Sequence, residues 1–167
     1  MKKTLWFYVL VALQAAFLIV MSVGFYAMDE WGETINLKTE PVDPRDPFYG
    51  DYVVLNYQVE SFPSSKWEGK DDVERGDKVY LLLENEEDGV SSLIKASDHP
   101  LNPDANQIVV ESRMEWRDQY NDNYRVDLGL DRYYIEENTG REWEQAEDRI
   151  VTIVLAPWGQ KKIQSVR

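Results

Sequence analysis

"QIVVESRMEWR", residues 107–117, alternates from end to end. Ile108, Val110, Met114 and Trp116 fall on one side, with Glu111, Arg113, Glu115 and Arg117 on the other. Period two is the repeat of a strand with one dry and one wet face, because successive side chains point oppositely. A register shifted by one residue would bury Glu111, Arg113 and Glu115, so the pattern also says which face is dry. The polar run "DQYNDN" then leads into "YRVDL", where Tyr124, Val126 and Leu128 alternate with Arg125 and Asp127. Two alternating runs around a polar turn predict a β-hairpin.

The same grammar repeats on both sides. "KVYLLLE" (78–84) and "VSSLIKA" (90–96) flank the turn "NEEDG". "RIVTIVL" (149–155) and "KKIQSV" (161–166) flank "APWGQ", whose Pro157 and Gly159 supply turn chemistry. "INLKTE" and "GDYVVLNYQVE" flank a proline-rich approach, "RYYIEE" (132–137) adds a strand, and "REWEQAED" (141–148) reads as a short helix. Strands this short and this closely spaced predict a mainly β fold, an antiparallel β-sandwich or partly open barrel. The loops "SFPSSKWEGKDDVERG" and "SDHPLNPDAN" are long enough to bind something.

The N-terminus obeys another rule. Residues 4–28, "TLWFYVLVALQAAFLIVMSVGFYAM", carry no charge. As a helix they reach ~37 Å, enough for a hydrocarbon core of ~30 Å, and longer than a cleaved signal needs. Lys2 and Lys3 precede the span, and Asp29, Glu30 and Glu33 follow it. That asymmetry predicts a cytoplasmic N-terminus. Trp6, Phe7 and Tyr8 at one end, and Phe25, Tyr26 and Trp31 at the other, suit the two interfaces. The expected organisation is a cytoplasmic stub and transmembrane anchor at 1–28, a juxtamembrane linker at 29–33, and an extracytoplasmic β-domain at 34–167 in the cell envelope.

Net charge is −13, and setting aside Lys2 and Lys3 leaves −15 on the rest. Such a domain repels nucleic acid, and no nucleic-acid partner is expected. No cysteine is present, so no disulfide and no thiol chemistry is available. The single histidine, His99, rules out multi-histidine sites. No zinc spacing, phosphate loop or EF-hand occurs, and no cofactor or metal is expected. "DQYNDN" and "NPDAN" offer oxygen ligands for calcium but read as polar hairpin tips. "YGDYVVL" and "ERGDKVYLLL" resemble a strand of bacterial type I signal peptidases, which use a serine and a buried lysine. The serine should follow the anchor closely, yet residues 29–50 contain none; Ser64, Ser65 and Lys66 lie in a later polar loop. A diverged hydrolase is therefore a minor alternative.

"PVDPRDPFYGDYVVLNY", residues 41–57, breaks the alternation with prolines and aspartates before resuming it. Pro41, Pro44 and Pro47 stiffen the entry, Gly50 permits a turn, and Asp51 can accept backbone N–H groups there. Val53, Leu55 and Tyr57 then share one face, and Tyr52, Val54 and Asn56 the other. "GDYVVLNY" fits the motif of the GDYXXLXY family at Gly50, Asp51, Tyr52, Leu55 and Tyr57. The approach with Asp43, Pro44 and Arg45 and the later "GLDRYYIEENTG", with Arg132 and Tyr133, also resemble that family. The resemblance implies a bacterial membrane-anchored domain whose relatives accompany multi-spanning membrane proteins, and it supplies no catalytic residues. Two readings of the motif stay open: a structural corner, or a face on which arginine and tyrosines meet a partner. The functional expectation is a non-enzymatic accessory or interaction module. The alternative is a carbohydrate or cell-wall binding module, with or without calcium, whose Trp67, Trp116, Trp143 and Trp158 would stack on sugars.

Overall fold

The structure, a computed structural model, describes residues 2–40, 52–118, 120–135 and 149–167. Asp43, Pro44, Arg45, Gly50, Asp51, Trp143 and the helix expected at 141–148 lie outside the described residues.

One helix, α1 (Lys2–Trp31), opens the chain. From Leu5 to Tyr26 its large apolar side chains stand exposed on all sides. A helix with no polar face needs an apolar solvent. Thr4–Trp31 is long and apolar enough to cross a membrane. The helix runs through Asp29–Trp31, part of the stretch read from sequence as a linker, and only Gly32 separates it from β1 (Glu33–Glu40).

The other strands are β2 (Tyr52–Val54), β3 (Asn56–Tyr57), β4 (Ser61–Pro63), β5 (Lys78–Asn85), β6 (Ser91–Ser97), β7 (Gln107–Asp118), β8 (Asn123–Asp127), β9 (Arg132–Tyr134), β10 (Ile150–Leu155) and β11 (Lys161–Val166). They form a four-stranded sheet in the order β11-β10-β1-β3, a five-stranded sheet β4-β8-β7-β5-β6, and the pair β2-β9. Neighbouring strands run antiparallel, and one sheet curls as half a barrel. The expected mainly β, antiparallel fold is what the chain adopts. The hairpins β5–β6, β7–β8 and β10–β11 all form where the alternating runs put them. β1 does meet the motif segment, but only through Thr39–Tyr57 and Glu40–Asn56.

Both large sheets turn their apolar faces to one core. Ile35 and Leu37 of β1 and Val151 and Ile153 of β10 meet Val79, Leu81 and Leu83 of β5, with Val110 and Met114 of β7. β10 is central and buried on both faces, which explains why "IVTIVL" is a continuous apolar run. Val154, on its second face, packs with Met28 and Ala156 in a small satellite core under the end of α1.

The long strand corrects one expectation. Ile108, Val110 and Met114 face the core, but Trp116 does not: it is 45% exposed. Met114 lies opposite Val126 and Trp116 opposite Arg125, so the register slips at Glu115. A bulge puts two residues against one and reverses the facing of everything beyond it. Arg117 accordingly lies with its guanidinium 5.0 Å from the Tyr124 ring centre. Tyr124 also stacks with Trp67 at 5.0 Å and with Phe62 at 5.9 Å. Trp67 is therefore committed to packing.

Candidate functional site

The motif strand is divided by its pleat. Val53, Leu55 and Tyr57 point inward and are almost fully buried. The Leu55 N–H donates to the Asp131 carbonyl at 2.8 Å, and the Tyr57 hydroxyl to the Leu130 carbonyl at 2.9 Å. Directly after Tyr57 the chain makes a single 3-10 turn, Gln58–Glu60, which folds Glu60 back beneath the strand. Glu60 is 5% exposed. One carboxylate oxygen accepts the Tyr57 N–H at 3.0 Å and the other accepts the Leu128 N–H at 2.9 Å. Burial pushes the Glu60 carboxyl above its ordinary value, against the downward pull of both N–H groups and of Arg125. Burial, with Glu60 and Asp131 nearby, pushes the Tyr57 hydroxyl up as well, so it stays protonated and donating. Glu60 thus staples the motif to Leu128, directly before the "GLDRYY" segment, each oxygen holding one of the two segments.

The other face is set differently. Tyr52 pairs with Tyr134 and Val53 with Tyr133 across β2–β9. The Tyr52 and Tyr134 rings lie 6.1 Å apart, and the Arg132 guanidinium sits 5.5 Å from the Tyr52 ring centre. Tyr134 is 71% exposed, whereas Tyr133 packs against the core. Asn56 accepts from Arg125 at 3.0 Å, and Arg125 also pairs with Glu115 at 3.0 Å. Of the residues singled out from sequence, Leu55, Tyr57 and Tyr133 serve the interior, while Tyr52 and Arg132 share a surface cluster. Tyr134 completes that cluster and was missed. Glu60 was missed too, although its place three residues after Tyr57 is the spacing of a capping carboxylate.

A family model described as "GDYXXLXY protein" matches residues 14–166. The chain belongs to the GDYXXLXY family. Neither curated proteins nor solved structures match it. The matched region of this GDYXXLXY chain takes in the C-terminal part of α1 and β1 to β11.

A second feature lies where helix and domain join. Gly32 donates its N–H to the Met28 carbonyl at 2.9 Å, and a Cβ at Gly32 would stand 2.4 Å from that oxygen and from Val154. Only glycine fits there. Lys162 pairs with Asp29 at 2.7 Å and lies 4.5 Å from the Phe25 ring centre. The last turns of α1 are thus pinned to β10–β11 by packing, an ion pair and a close backbone approach. Beside this junction opens a cleft of about 740 Å³, walled by Trp31, Tyr80, Ile108, Leu155, Trp158 and Lys161. A smaller cleft of about 300 Å³, including Arg113, Asp127 and Gly129, shares Lys78, Glu111 and Lys161 with it. Lys161 donates to the Glu111 carbonyl at 2.6 Å and makes no ion pair among the described residues. Burial pulls its ammonium below the ordinary lysine value, against the pull of Asp127, Glu111 and Glu60. Sequence reasoning passed over Lys161, whose parity with core-packed Ile163 was the available signal.

Other candidate groups are held apart. Ser64 donates to Asp122 and Lys66 to the Leu93 carbonyl. Ser97, Asp98 and His99 cluster: the Ser97 hydroxyl lies 2.7 Å from Nδ1 and 3.4 Å from Nε2, and the Asp98 carboxylate 2.9 Å from Nδ1, so the short contacts of both fall on one nitrogen. A relay needs one partner on each nitrogen. The His99 contact and burial's opposing effect leave Asp98 below the ordinary carboxylate range. Asp118, in the "DQYNDN" tip, is occupied by the Asn121 side chain and by the N–H groups of Tyr120 and Asn121.

Proposed function

We propose that this chain is a single-pass membrane protein whose β-domain stands on the extracytoplasmic face as a non-enzymatic accessory module for another membrane protein. The observation that carries the reading is the junction. An apolar helix, exposed along its length, is pinned through Met28, Asp29 and Gly32 to the central hairpin, so the domain is presented to the bilayer in a fixed pose. The Tyr52–Arg132–Tyr134 cluster supports it, because tyrosine and arginine side chains in contact on a surface are what protein partners most often use. The charge asymmetry around the helix supports the orientation.

Affinity purification of the full chain from mild detergent tests the role. Reproducible recovery of one multi-spanning protein, lost on Tyr134→Ala and Arg132→Ala together, is the expected outcome. Protease added to wall-stripped cells should remove the β-domain; a protected C-terminus would reverse the orientation. The wall-binding reading keeps the outward Trp116 and Trp158 in its favour, and predicts retention on purified wall material that Trp116→Ala and Trp158→Ala together abolish.

A further inference from the structure

The cleft beside the end of α1 combines three properties that none of the motif residues shares. Its size, about 740 Å³, falls in the range of small-molecule sites, roughly 300–1,000 Å³, rather than that of a flat protein interface. Its walls are mixed, aromatic and aliphatic through Trp31, Tyr80, Leu155 and Trp158, with Glu33 and Glu111 set against Lys78 and Lys161. At its edge Lys161 spends one N–H on the Glu111 carbonyl and makes no ion pair among the described residues, although Asp127 and the Glu111 carboxylate lie near enough to act on its charge. The Glu111 carboxylate is turned instead to Lys78, at 3.2 Å. A half-buried cation with spare donors beside aromatic walls suits an amphiphile with an anionic head.

Position decides the source. Trp31 is both the last residue of α1 and a wall of the cleft. Because Met28 and Asp29 hold that helix end to β10–β11, the cleft cannot move away from the bilayer surface where α1 emerges. Tryptophan at that depth belongs to the headgroup layer. The acidic remainder of the domain repels anionic surfaces in general, so an anionic headgroup would be accepted only where a cation is already built in.

We propose that this cleft binds the headgroup of an anionic membrane phospholipid, its phosphate on Lys161 and its glycerol and upper chains along Trp31, Tyr80 and Trp158. The site would tie the β-domain to the membrane surface as a second contact beside the helix. It rests on the reading that α1 spans the bilayer, and the test separates the two.

The full-length chain is released from mixed nanodiscs of phosphatidylglycerol and phosphatidylcholine, and retained lipid is counted by native mass spectrometry. Wild type should retain phosphatidylglycerol in preference to phosphatidylcholine. Lys161→Gln should lower that retention about tenfold, the loss expected for one charge-assisted contact. Lys95→Gln, at an exposed pair with Glu68 on β6, should leave it unchanged. Trp158→Ala, at a half-exposed turn residue, serves as a second variant and should also lower retention. Equal retention of both lipids, or full retention by folded Lys161→Gln, overturns the proposal. So does displacement of the lipid by soluble glycerol phosphate at matched concentration, or a protein held in its place. A chain that stays with membranes through an alkaline wash yet keeps no phosphatidylglycerol overturns the lipid site and leaves the anchor standing.

Discussion

Glu60 and Lys161 are both ionisable groups drawn out of water, one beneath the motif and one beside the cleft at the end of α1, and they are treated in opposite ways. Glu60 has each oxygen met by a backbone N–H and has Arg125 nearby. Lys161 has one carbonyl. A buried carboxyl with a backbone N–H on each oxygen fixes chain geometry, because removing it leaves its partners orphaned. A half-buried charge with capacity to spare adds little to the fold and is available to something else. The motif corner is therefore chiefly architecture on its inner side, and the cleft is where unspent chemistry remains.

The sharpest way to break this contrast is Glu60→Ala. It orphans the Tyr57 and Leu128 N–H groups together and should cost about 3–5 kcal/mol, read from denaturant unfolding of the full chain in detergent. A loss below 1 kcal/mol would mean that water replaces the carboxylate and that the staple is incidental. Glu60→Gln is gentler, since one acceptor survives, and should cost about 1–2 kcal/mol. Its pH dependence carries a sign. Burial holds the folded carboxyl above its ordinary 4.5, so the folded chain binds that proton more tightly than the unfolded chain. This contribution is complete below pH 4.5 and is lost as pH rises through the folded value. The advantage of wild type over Glu60→Gln should shrink as pH rises from there. An advantage that grows instead would show that the N–H groups and Arg125, not burial and the Asp127 charge, dominate the site.

Tyr57→Phe removes only the bond to the Leu130 carbonyl and should cost about 1 kcal/mol in the same unfolding measurement. Smallest of all, Lys161→Met should change stability by no more than about 0.5 kcal/mol, in either direction. A loss like that of Glu60→Ala would place Lys161 among the structural charges and erase the distinction.

How much of this could be read from the letters depended on distance along the chain. The apolar N-terminal helix, the three hairpins and the inward set Val53, Leu55 and Tyr57 rest on local repeats, and local repeats survive folding. Trp116 misled because the alternation in "ESRMEWR" continues unbroken through Glu115, while the bulge is imposed by pairing with β8. Neither side of a bulge looks different in sequence when both flanking residues are plausible on either face. Glu60 was hidden for another reason. A charged residue at the end of a strand reads as solvated, and its burial depends on Leu128, which lies 68 positions away. The pairing of β2 with β9 is equally non-local, so Tyr134 could be placed beside Tyr52 only by the fold.

The glycine between helix and strand has one more consequence. With a single residue at the joint and no room there even for a methyl group, α1 and the β-domain turn together as one shaft. Each residue of a helix advances the chain by about 100° around its axis. Any one side of α1 and the side of the domain that carries Tyr134 are thus locked at one angular phase. Adding a single residue within α1 would swing the whole β-domain by about 100° around the helix axis, whereas adding seven would bring it back to within ~20°.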